Sequence, residues 1–433
     1  MPNEKSNLSL EDKEDISVTV VGAGISGLRA AQLLQQEGIN VKVLEASDYI
    51  GGRLKTNRSF SFPFDEGGSW IHTPIGNPLT EIATKSKTKT IITEENNIIL
   101  YNEHGKRISH NLYLKEKKRF MTALNSLSRY GELGKSFAEI NNKYFSRDYD
   151  LLQRFILSTY LSLNIADIHH LSSKYYDIGK VFQGSDTFLI SGFDSLINYL
   201  ATDLDVIINT RVLEIDYTDS KVHIKTSTTE YISDYVIVTV PLGVLKKGLI
   251  RFNPELPKEK QEAINKIGFF HVNKVFLQWE TSFWDEEQFI GMTSHSVQKF
   301  NYFVNVNKMD PTQNVLITFA YGDEARKMEE KKDEVIIEEV MQILKVMYGN
   351  SIPYPTSILR SNWINNENTY GSYSFPTVDT IPLHFDHMAE TIENKVFFAG
   401  EHTIKDYFSY AHGAYLSGHR EADKIIQHYK KRR

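Results

Sequence analysis

The sequence has 433 residues, of which 41% are hydrophobic and 24% charged, and these proportions exclude a disordered or collagen-like chain. Its 49 Lys and Arg residues against 55 Asp and Glu residues give a net charge of −6, which argues against a nucleic-acid partner held by bulk positive charge. Because there is no cysteine, the sequence excludes disulfides, thiolate metal sites and attachment of a cofactor through sulfur. We predict no metal site.

The two ends of the chain are polar. The first fifteen residues are mostly polar or charged, so a secretory signal is not expected and residues 1–14 are predicted to form a polar tail. No run of about 18 apolar residues predicts a membrane span. We therefore expect a cytoplasmic protein, either a monomer or a homodimer.

A glycine motif of the form GxGxxG occupies residues 22–27, between a β-branched run at 16–21 and a helical pattern that extends to residue 37. Gly22 permits a tight turn, Gly24 lets the backbone approach a pyrophosphate, and Gly27 lets the helix pack against the strand. Phosphates are favoured at the helix N-terminus, beside Ser26, by free N–H groups and by the helix dipole.

A second strand pattern follows at residues 41–44 and ends at Glu45, 18 residues after Gly27. A carboxylate at this position can accept hydrogen bonds from ribose hydroxyls, and its charge would repel a 2′-phosphate. The strand, helix, strand and acid together predict a dinucleotide site that disfavours NADP. They do not separate NAD from FAD.

Six segments in a fixed order resemble the flavin-dependent amine oxidase family, which includes the monoamine and polyamine oxidases. They read VVGAGISGL, VLEASDYIGGR, DEGGSWIH, VIVTVPLGVL, KVFLQW and VFFAGEHTIKDYFSYAHGAYLSGHREA. They span nearly the whole chain, and the last one is most similar to the polyamine oxidase branch.

This resemblance implies a mixed α/β fold with two domains. A Rossmann-type FAD-binding domain would be built from residues 15–75, 186–262 and 391–433. A substrate-binding domain with a mixed sheet and helices would cover the flavin and be built from residues 76–185 and 263–390.

Local patterns place the elements of these domains. Residues 207–240 predict three short strands, with a turn at 218–220, and a buried closing strand that begins at Tyr235. Residues 323–347 show the apolar stripe of one helix, and a helix is also predicted over about 413–429.

The resemblance further implies that FAD is bound without a covalent bond, because Ser372 stands where monoamine oxidases carry the cysteine that attaches the flavin. The predicted cofactor-binding residues are Gly22, Gly24, Ser26, Gly27, Glu45, Arg53, Gly68, Ser69, Trp70, Val212, Trp363, Gly400, Glu401 and Ala411. Among these, Arg53 could pair with a phosphate or hold its loop, and Glu401 would hydrogen-bond the ribityl chain. The helix that begins near Ala411 would direct its N-terminus at the pyrimidine end of the flavin.

Four residues are assigned to the reaction by the same resemblance. Lys274 would hold a water near the flavin, and Tyr373 and Tyr410 would flank the substrate amine as an aromatic cage. His72 would contact the substrate. Because Thr73 and a proline follow it where several family members have glycine, its loop is expected to differ from theirs.

The activity implied is that of an FAD-dependent amine oxidase, most similar to a polyamine oxidase. Hydride would pass from the amine α-carbon to flavin N5, giving an imine and then an aldehyde plus an amine, while oxygen is reduced to hydrogen peroxide. The partners are thus an amine or polyamine and molecular oxygen. Asp186 is a candidate, with its neighbours, for binding a distal ammonium group.

Three other functions are weighed against this one. An L-amino acid oxidase would need a cation for the substrate carboxylate, and the segment GGSWIHTPIGN contains no Arg or Lys. A non-catalytic flavin-binding protein is disfavoured by the presence of Lys274, both tyrosines and Glu401. A histone demethylase is not expected, because a large inserted helical hairpin has no counterpart in the sequence.

Overall fold

A computed structural model describes residues 16–60, 62–144, 149–295 and 298–432 of the chain. The predicted tail at 1–14 lies outside these residues. The strands, in chain order, are β1 (Ser17–Val21), β2 (Asn40–Leu44), β3 (Thr56–Asn57), β4 (Phe64–Asp65), β5 (Trp70–Ile71), β6 (Thr90–Ile92), β7 (Ile98–Tyr101), β8 (Thr187–Leu189), β9 (Val206–Ile207), β10 (Val212–Asp216), β11 (Val222–Thr226), β12 (Glu230–Ser233), β13 (Tyr235–Val238), β14 (Arg251–Asn253), β15 (Ile267–Phe270), β16 (Val272–Gln278), β17 (Phe289–Met292), β18 (Lys299–Asn305), β19 (Val315–Tyr321), β20 (Ser357–Arg360), β21 (Tyr373–Pro376) and β22 (Val396–Phe398).

Helices lie between these strands. They are α1 (Ile25–Gln36), α2 (Pro78–Lys85), α3 (His110–Tyr130), α4 (Phe137–Tyr144), α5 (Leu151–Leu157), α6 (Asp194–Leu200), α7 (Leu242–Lys246), α8 (Lys258–Lys266), α9 (Val306–Met309), α10 (Asp323–Glu329), α11 (Asp333–Tyr348), α12 (Pro382–Ala389) and α13 (Ala411–Arg432). A π-helical turn at Ser158–Ser162 continues α5, and two 3₁₀ turns, Glu401–Thr403 and Lys405–Tyr407, precede α13.

A five-stranded parallel sheet brings together distant parts of the chain in the order β22-β13-β1-β2-β9. The central strands β1 and β13 are β-branched and almost wholly buried, as expected of strands covered on both faces. Strands from three separated segments therefore share one sheet, in agreement with the α/β fold predicted from the sequence.

The helices α1 and α13 pack against each other on one face of this sheet. Their backbones approach closely because Gly418 lies opposite Ser26, and a Cβ atom at Gly418 would come within 2.0 Å of the Ser26 carbonyl oxygen. The helix predicted from residue 25 is confirmed, and the last helix starts at Ala411, two residues before the predicted start.

Two larger sheets accompany the parallel sheet, and three smaller ones have the orders β5-β8-β6, β15-β21 and β3-β4. The strands predicted within residues 207–240 are confirmed and form an antiparallel ribbon in the order β12-β11-β10, with β14 added in parallel. A six-stranded mixed sheet has the order β20-β16-β19-β18-β17-β7.

The single helix predicted over 323–347 is wrong, because α10 and α11 are separate helices. Arg360 on β20 explains the break: its Nη1 donates to the carbonyl of Met328 at the end of α10, 2.8 Å away. The same guanidinium lies 2.9 Å from the carboxylate of Asp333 at the start of α11. The helix dipole favours this cation at the end of α10, whereas at the start of α11 the cation is held by the carboxylate of Asp333.

The predicted domain boundaries stay a prediction, and α8 runs through the proposed boundary at residue 262. Across the described ranges, the structure contains no helix with the length and apolar character needed to cross a membrane.

Candidate active site

One cavity of about 610 Å³ lies where the carboxyl ends of β1, β2, β13 and β22 meet the six-stranded sheet. Its volume is in the range of small-molecule sites. Among the residues that line it are nearly all the predicted site residues: Gly22, Gly24, Ser26, Glu45, Arg53, Gly68, Ser69, Trp70, His72, Val212, Lys274, Trp363, Tyr373, Gly400, Glu401, Tyr410 and Ala411. Their individual roles stay predictions.

The glycine motif forms the wall at the end of β1. Gly22 has a φ of +108°, a conformation that favours glycine, and it begins the turn into α1. A Cβ atom on Gly24 would meet nothing within 4 Å, so this position faces open space at the helix N-terminus. Gly27 does not line the cavity, and a Cβ there would come within 2.0 Å of the Gly22 carbonyl oxygen. Each glycine thus meets the constraint expected from the motif.

Glu45 is held at the end of β2 by backbone donors. Its two carboxylate oxygens accept hydrogen bonds from the N–H groups of Ala23, at 2.7 Å, and Ser47, at 2.8 Å. Only 7% of the residue is exposed, on the cavity wall. Nearby, burial and the charge of Glu45 raise the pKa of Tyr49 to about 12, so this phenol stays neutral.

Arg53, which is half-buried, and Glu401, which is buried, form an ion pair on the cavity wall. Arg53 Nη1 donates to the Glu401 carboxylate and to the carbonyl of Ser372, at 2.8 Å each. The other Glu401 oxygen accepts from the backbone N–H of Ser409, 2.9 Å away, and from the hydroxyl of Ser374. Burial raises the pKa of Glu401, but Arg53 and these donors hold it below its usual value. These bonds connect Arg53 to two distant segments of the chain, and whether it also pairs with a phosphate stays a prediction.

These features fit FAD. The open space at Gly24 lies at a helix N-terminus that favours phosphate, and the carboxylate of Glu45 stands at the end of the neighbouring strand. The N-terminus of α13, at Ala411, reaches the same cavity and adds a second positive helix end.

Lys274 projects from β16 into the cavity wall and is 7% exposed. Its ammonium donates to the carbonyls of Asp65 and Gly67 and to the hydroxyl of Ser69. The same group lies 5.4 Å from the centre of the Trp70 ring. Burial lowers the pKa of Lys274, because a desolvated ammonium is disfavoured. It is therefore a cavity lysine and not a solvent-facing strand residue.

Tyr373 and Tyr410 both line the cavity. The Tyr373 hydroxyl donates to the carbonyl of Leu163. The Tyr410 ring stacks on His412 with centres 4.8 Å apart and meets His72 edge-on at 5.3 Å. Burial raises the pKa of both phenols, so the two rings are uncharged walls. The stacking of His412 on Tyr410 was not predicted.

His72 is paired with Asp186 at the same wall. His72 Nδ1 lies 2.7 Å from Asp186 Oδ2, and the N–H of Thr73 donates to Asp186 Oδ1 at 2.9 Å. Thr73 has a φ of +45°, in the left-handed region that favours glycine. Thr73 therefore adopts a backbone conformation that favours glycine, and how the loop compares with that of other family members stays a prediction.

Other cavity residues were missed from the sequence. They are Thr93 after β6, Tyr113 on α3, Tyr160 in the π-helical turn, Tyr302 on β18 and Phe319 on β19. Inward-facing aromatic residues on strands are also typical of an ordinary core, so the sequence alone does not mark them as part of a site.

Comparison with known proteins supports the assignment of this cavity to a flavin. The family described as flavin containing amine oxidoreductase matches residues 25–426. The chain is 32% identical to probable polyamine oxidase 4 of Arabidopsis thaliana over 427 residues, covering 93% of this chain and 85% of that protein. It is 31% identical to lysine-specific histone demethylase 1 homolog 1 of the same species, covering 98% of this chain and 54% of the relative.

A solved structure shares the fold. A putrescine oxidase redesigned in its cofactor binding superposes with a TM-score of 0.80 at 21% identity, covering 95% of this chain and 99% of that one. The family match spans most of the sequence, and the glycine motif, Glu45 and the cavity meet its requirement for a flavin. The chain therefore belongs to the flavin-containing amine oxidoreductase family.

Proposed function

We propose that this FAD-dependent amine oxidase acts on a polyamine. The overall change is RCH₂NHR′ + O₂ + H₂O → RCHO + R′NH₂ + H₂O₂, in which the C–N bond is oxidised and then hydrolysed. FAD, when bound, supplies the two-electron oxidation and passes the electrons to oxygen. The protein contributes binding, orientation and the exclusion of water.

The proposal depends above all on the distribution of charge in the cavity. The carboxylates of Asp186 and Glu95 both line the cavity, Asp186 near Tyr410 and Glu95 beside Lys117 and the hydroxyl of Tyr160. Burial raises the pKa of Asp186, but its bonds to His72 and Thr73 more than offset this and leave the pKa below its usual value. An ionised carboxylate beside Tyr410 favours a cationic ligand.

The rival substrate class, the L-amino acids, finds no ready cation. Each Arg and Lys side chain that lines the cavity within the described ranges already has an acceptor. The pairs are Arg53 with Glu401, Arg211 with Glu367, Lys180 with Asp406, and Lys274 with backbone carbonyls. A substrate carboxylate would have to compete for one of these, which favours an amine without a carboxylate.

Tyr373 and Tyr410 are proposed to flank the reacting nitrogen. Two uncharged rings exclude water and hold the amine in one orientation, which lowers the entropic part of the barrier. Lys274 is proposed to hold a water near the flavin, in exchange for one of the three acceptors that keep its ammonium at the cavity wall. FAD is proposed to be held without a covalent bond, in a chain without cysteine.

A substrate panel tests the function. The purified protein should be yellow, and anaerobic mixing with spermine or spermidine should bleach the flavin faster than mixing with benzylamine. L-leucine and L-phenylalanine should leave it oxidised. Bleaching by the amino acids but not by polyamines would reverse the assignment, and a flavin that no amine bleaches would favour a non-catalytic protein. The cytoplasmic location and the monomeric or homodimeric state stay predictions.

A further inference from the structure

The side chain of Lys117 ends in a small site for an ammonium group beside the cavity. Lys117 projects from α3, and only 14% of its side chain is exposed. Its Nζ lies 3.1 Å from a carboxylate oxygen of Glu95 and 2.9 Å from the amide oxygen of Asn96. The same atom lies 4.8 Å from the centre of the Tyr160 ring and 5.9 Å from that of Tyr113. A carboxylate, an amide oxygen and two aromatic rings together suit an alkylammonium ion.

Three separate elements bring these groups together. Glu95 and Asn96 occupy the turn between β6 and β7. Tyr113 precedes Lys117 by four residues on α3, so the two side chains lie on one face of the helix. Tyr160 belongs to the π-helical turn that continues α5, and such turns are frequent at functional sites. The site therefore depends on contacts between segments that are distant in the sequence.

The walls of this site are shared with the cavity. Glu95, Tyr113 and Tyr160 line the cavity, whereas Lys117 does not. The hydroxyl of Tyr160 donates to the carboxylate of Glu95, 2.7 Å away. Burial, together with the charge of Glu95, raises the pKa of both phenols, that of Tyr113 to about 12, so both rings are uncharged. Lys117 thus reaches, from the side of α3, a carboxylate that a ligand in the cavity would also meet.

The pairing balances one of the two acidic charges near the substrate. Within the described ranges, Glu95 forms an ion pair with no cation other than Lys117, and Lys117 with no other carboxylate. Asp186 differs, because its partners in the same ranges are the His72 ring and a backbone N–H, without a lysine or arginine. A cationic substrate therefore meets a carboxylate at Asp186 that no lysine or arginine balances, and one at Glu95 that Lys117 already neutralises.

We propose that Lys117 is a specificity-determining residue, whose ammonium takes the position that a distal ammonium of a polyamine would otherwise occupy beside Glu95 and Tyr160. This inference rests on the proposed amine substrate. The side chain of lysine and the end of a polyamine are the same chemical group, a methylene chain that ends in a primary ammonium. As part of the chain, Lys117 competes at a high effective concentration. The wild-type enzyme therefore gains little affinity from a distal ammonium at this end of the cavity.

The substitution Lys117→Met tests the inference, because Met keeps most of the apolar stem of Lys and removes its charge. Glu95 then stays on the cavity wall without a cationic partner. We expect the apparent Kd for spermine, measured from anaerobic flavin reduction, to fall about threefold to tenfold, a modest gain because 64% of the Glu95 side chain is exposed. The gain should shrink in about 0.5 M NaCl, which screens the attraction. The Kd for butylamine, which has a single nitrogen, should not change.

Control variants separate charge selection from other effects. Lys118→Met removes the same charge from the next residue of α3, which is exposed and forms no ion pair with the part of the chain that the structure describes, and it should leave the Kd for spermine unchanged. Lys117→Arg keeps a cation beside Glu95 and should show no gain. The double variant Lys117→Met with Glu95→Gln should lose the gain, because the carboxylate that binds the distal ammonium is absent.

Flavin content and the rate with butylamine show whether each variant is folded, and Lys117→Gln replaces Lys117→Met if the latter does not bind FAD. An unchanged Kd for spermine in the Lys117 variant would overturn the inference. A fall of equal size for spermine and butylamine, or one that persists without the carboxylate of Glu95, would also overturn it, since Lys117 would then affect only the shape of the cavity. Failure of the proposed function would look different, because the wild-type flavin would not be bleached by any polyamine.

Discussion

Gly24 and Gly27, the second and third glycines of the motif before and within α1, should respond differently to substitution by alanine. In Gly27→Ala, the added Cβ would lie 2.0 Å from the backbone oxygen of Gly22, where ordinary contacts are 3.4–4 Å. Since the obstacle is backbone, α1 must move away from β1, and overpacking of this kind costs about 1–3 kcal/mol of folding stability. Gly27→Ala should therefore destabilise the apoprotein.

Gly24→Ala should leave the fold intact and weaken the cofactor. Gly24 has φ −73° and ψ 173°, which alanine adopts readily, and its Cβ would meet no protein atom within 4 Å. That open space faces the cavity where a phosphate would approach. Losing one hydrogen bond to a charged group costs about 1.5–3 kcal/mol, so the Kd for FAD should rise about tenfold to a hundredfold.

Two measurements on each variant decide between these outcomes. Urea unfolding of the flavin-free protein reports stability, and titration with FAD, followed by flavin fluorescence, reports affinity. A Gly24→Ala protein that binds FAD as the wild type does would refute the assignment of the open space to phosphate. An unchanged unfolding midpoint in Gly27→Ala would refute the packing argument.

Three further predictions concern the lysines and the substrate. Lys274→Met should leave FAD bound but slow turnover about tenfold, or ~1.4 kcal/mol of barrier, in oxygen-consumption assays normalised to flavin content; equal turnover would remove Lys274 from the reaction. At limiting spermine, the rate of flavin reduction should rise between about pH 6.5 and 9 as the neutral amine accumulates, and a flat profile would contradict a neutral-amine reaction. Burial lowers the pKa of Lys260 from 10.5 to about 7. Above about pH 7, the unfolded chain therefore binds more protons at this lysine than the folded chain does. The free energy of unfolding of the wild type, relative to that of Lys260→Met, should rise by up to about 1.4 kcal/mol per pH unit from about pH 7 to about pH 10, and this gain should be lost as the pH falls back to 7. Urea midpoints of the two proteins that differ by the same amount at pH 6, 7 and 9 would contradict this.

The start of the chain could be read from the sequence because its constraints are local. A buried strand, a glycine turn and a 3.6-residue apolar repeat fix the strand and helix at residues 17–36 without reference to the rest of the molecule. The motifs that follow the other strands of the parallel sheet could be assigned to the site for a similar reason. Since carboxyl ends of parallel strands share one edge, Glu45 and Glu401 were expected at one site, and both line the cavity.

Features that depend on distant partners were not accessible in this way. Nothing in the apolar stripe of residues 323–347 signals that Arg360 will contact both Met328 and Asp333 and divide the helix. The bond between His72 and Asp186 likewise depends on β8 inserting between β5 and β6. Asp186 was named from the sequence as a ligand for a distal ammonium, but no periodicity indicated its pairing with His72.

The parallel sheet has a consequence for synthesis of the protein. Strand β1 pairs with β13, and β13 with β22, so neighbours in the sheet are drawn from residues near 20, 237 and 397. While the ribosome is still translating, the early strand–helix–strand unit has no partner on one side, and its apolar edge is open to chaperones or to aggregation. Because α13 also lines the cavity, the complete binding site for the coenzyme can form only after this last helix has been synthesised and has docked.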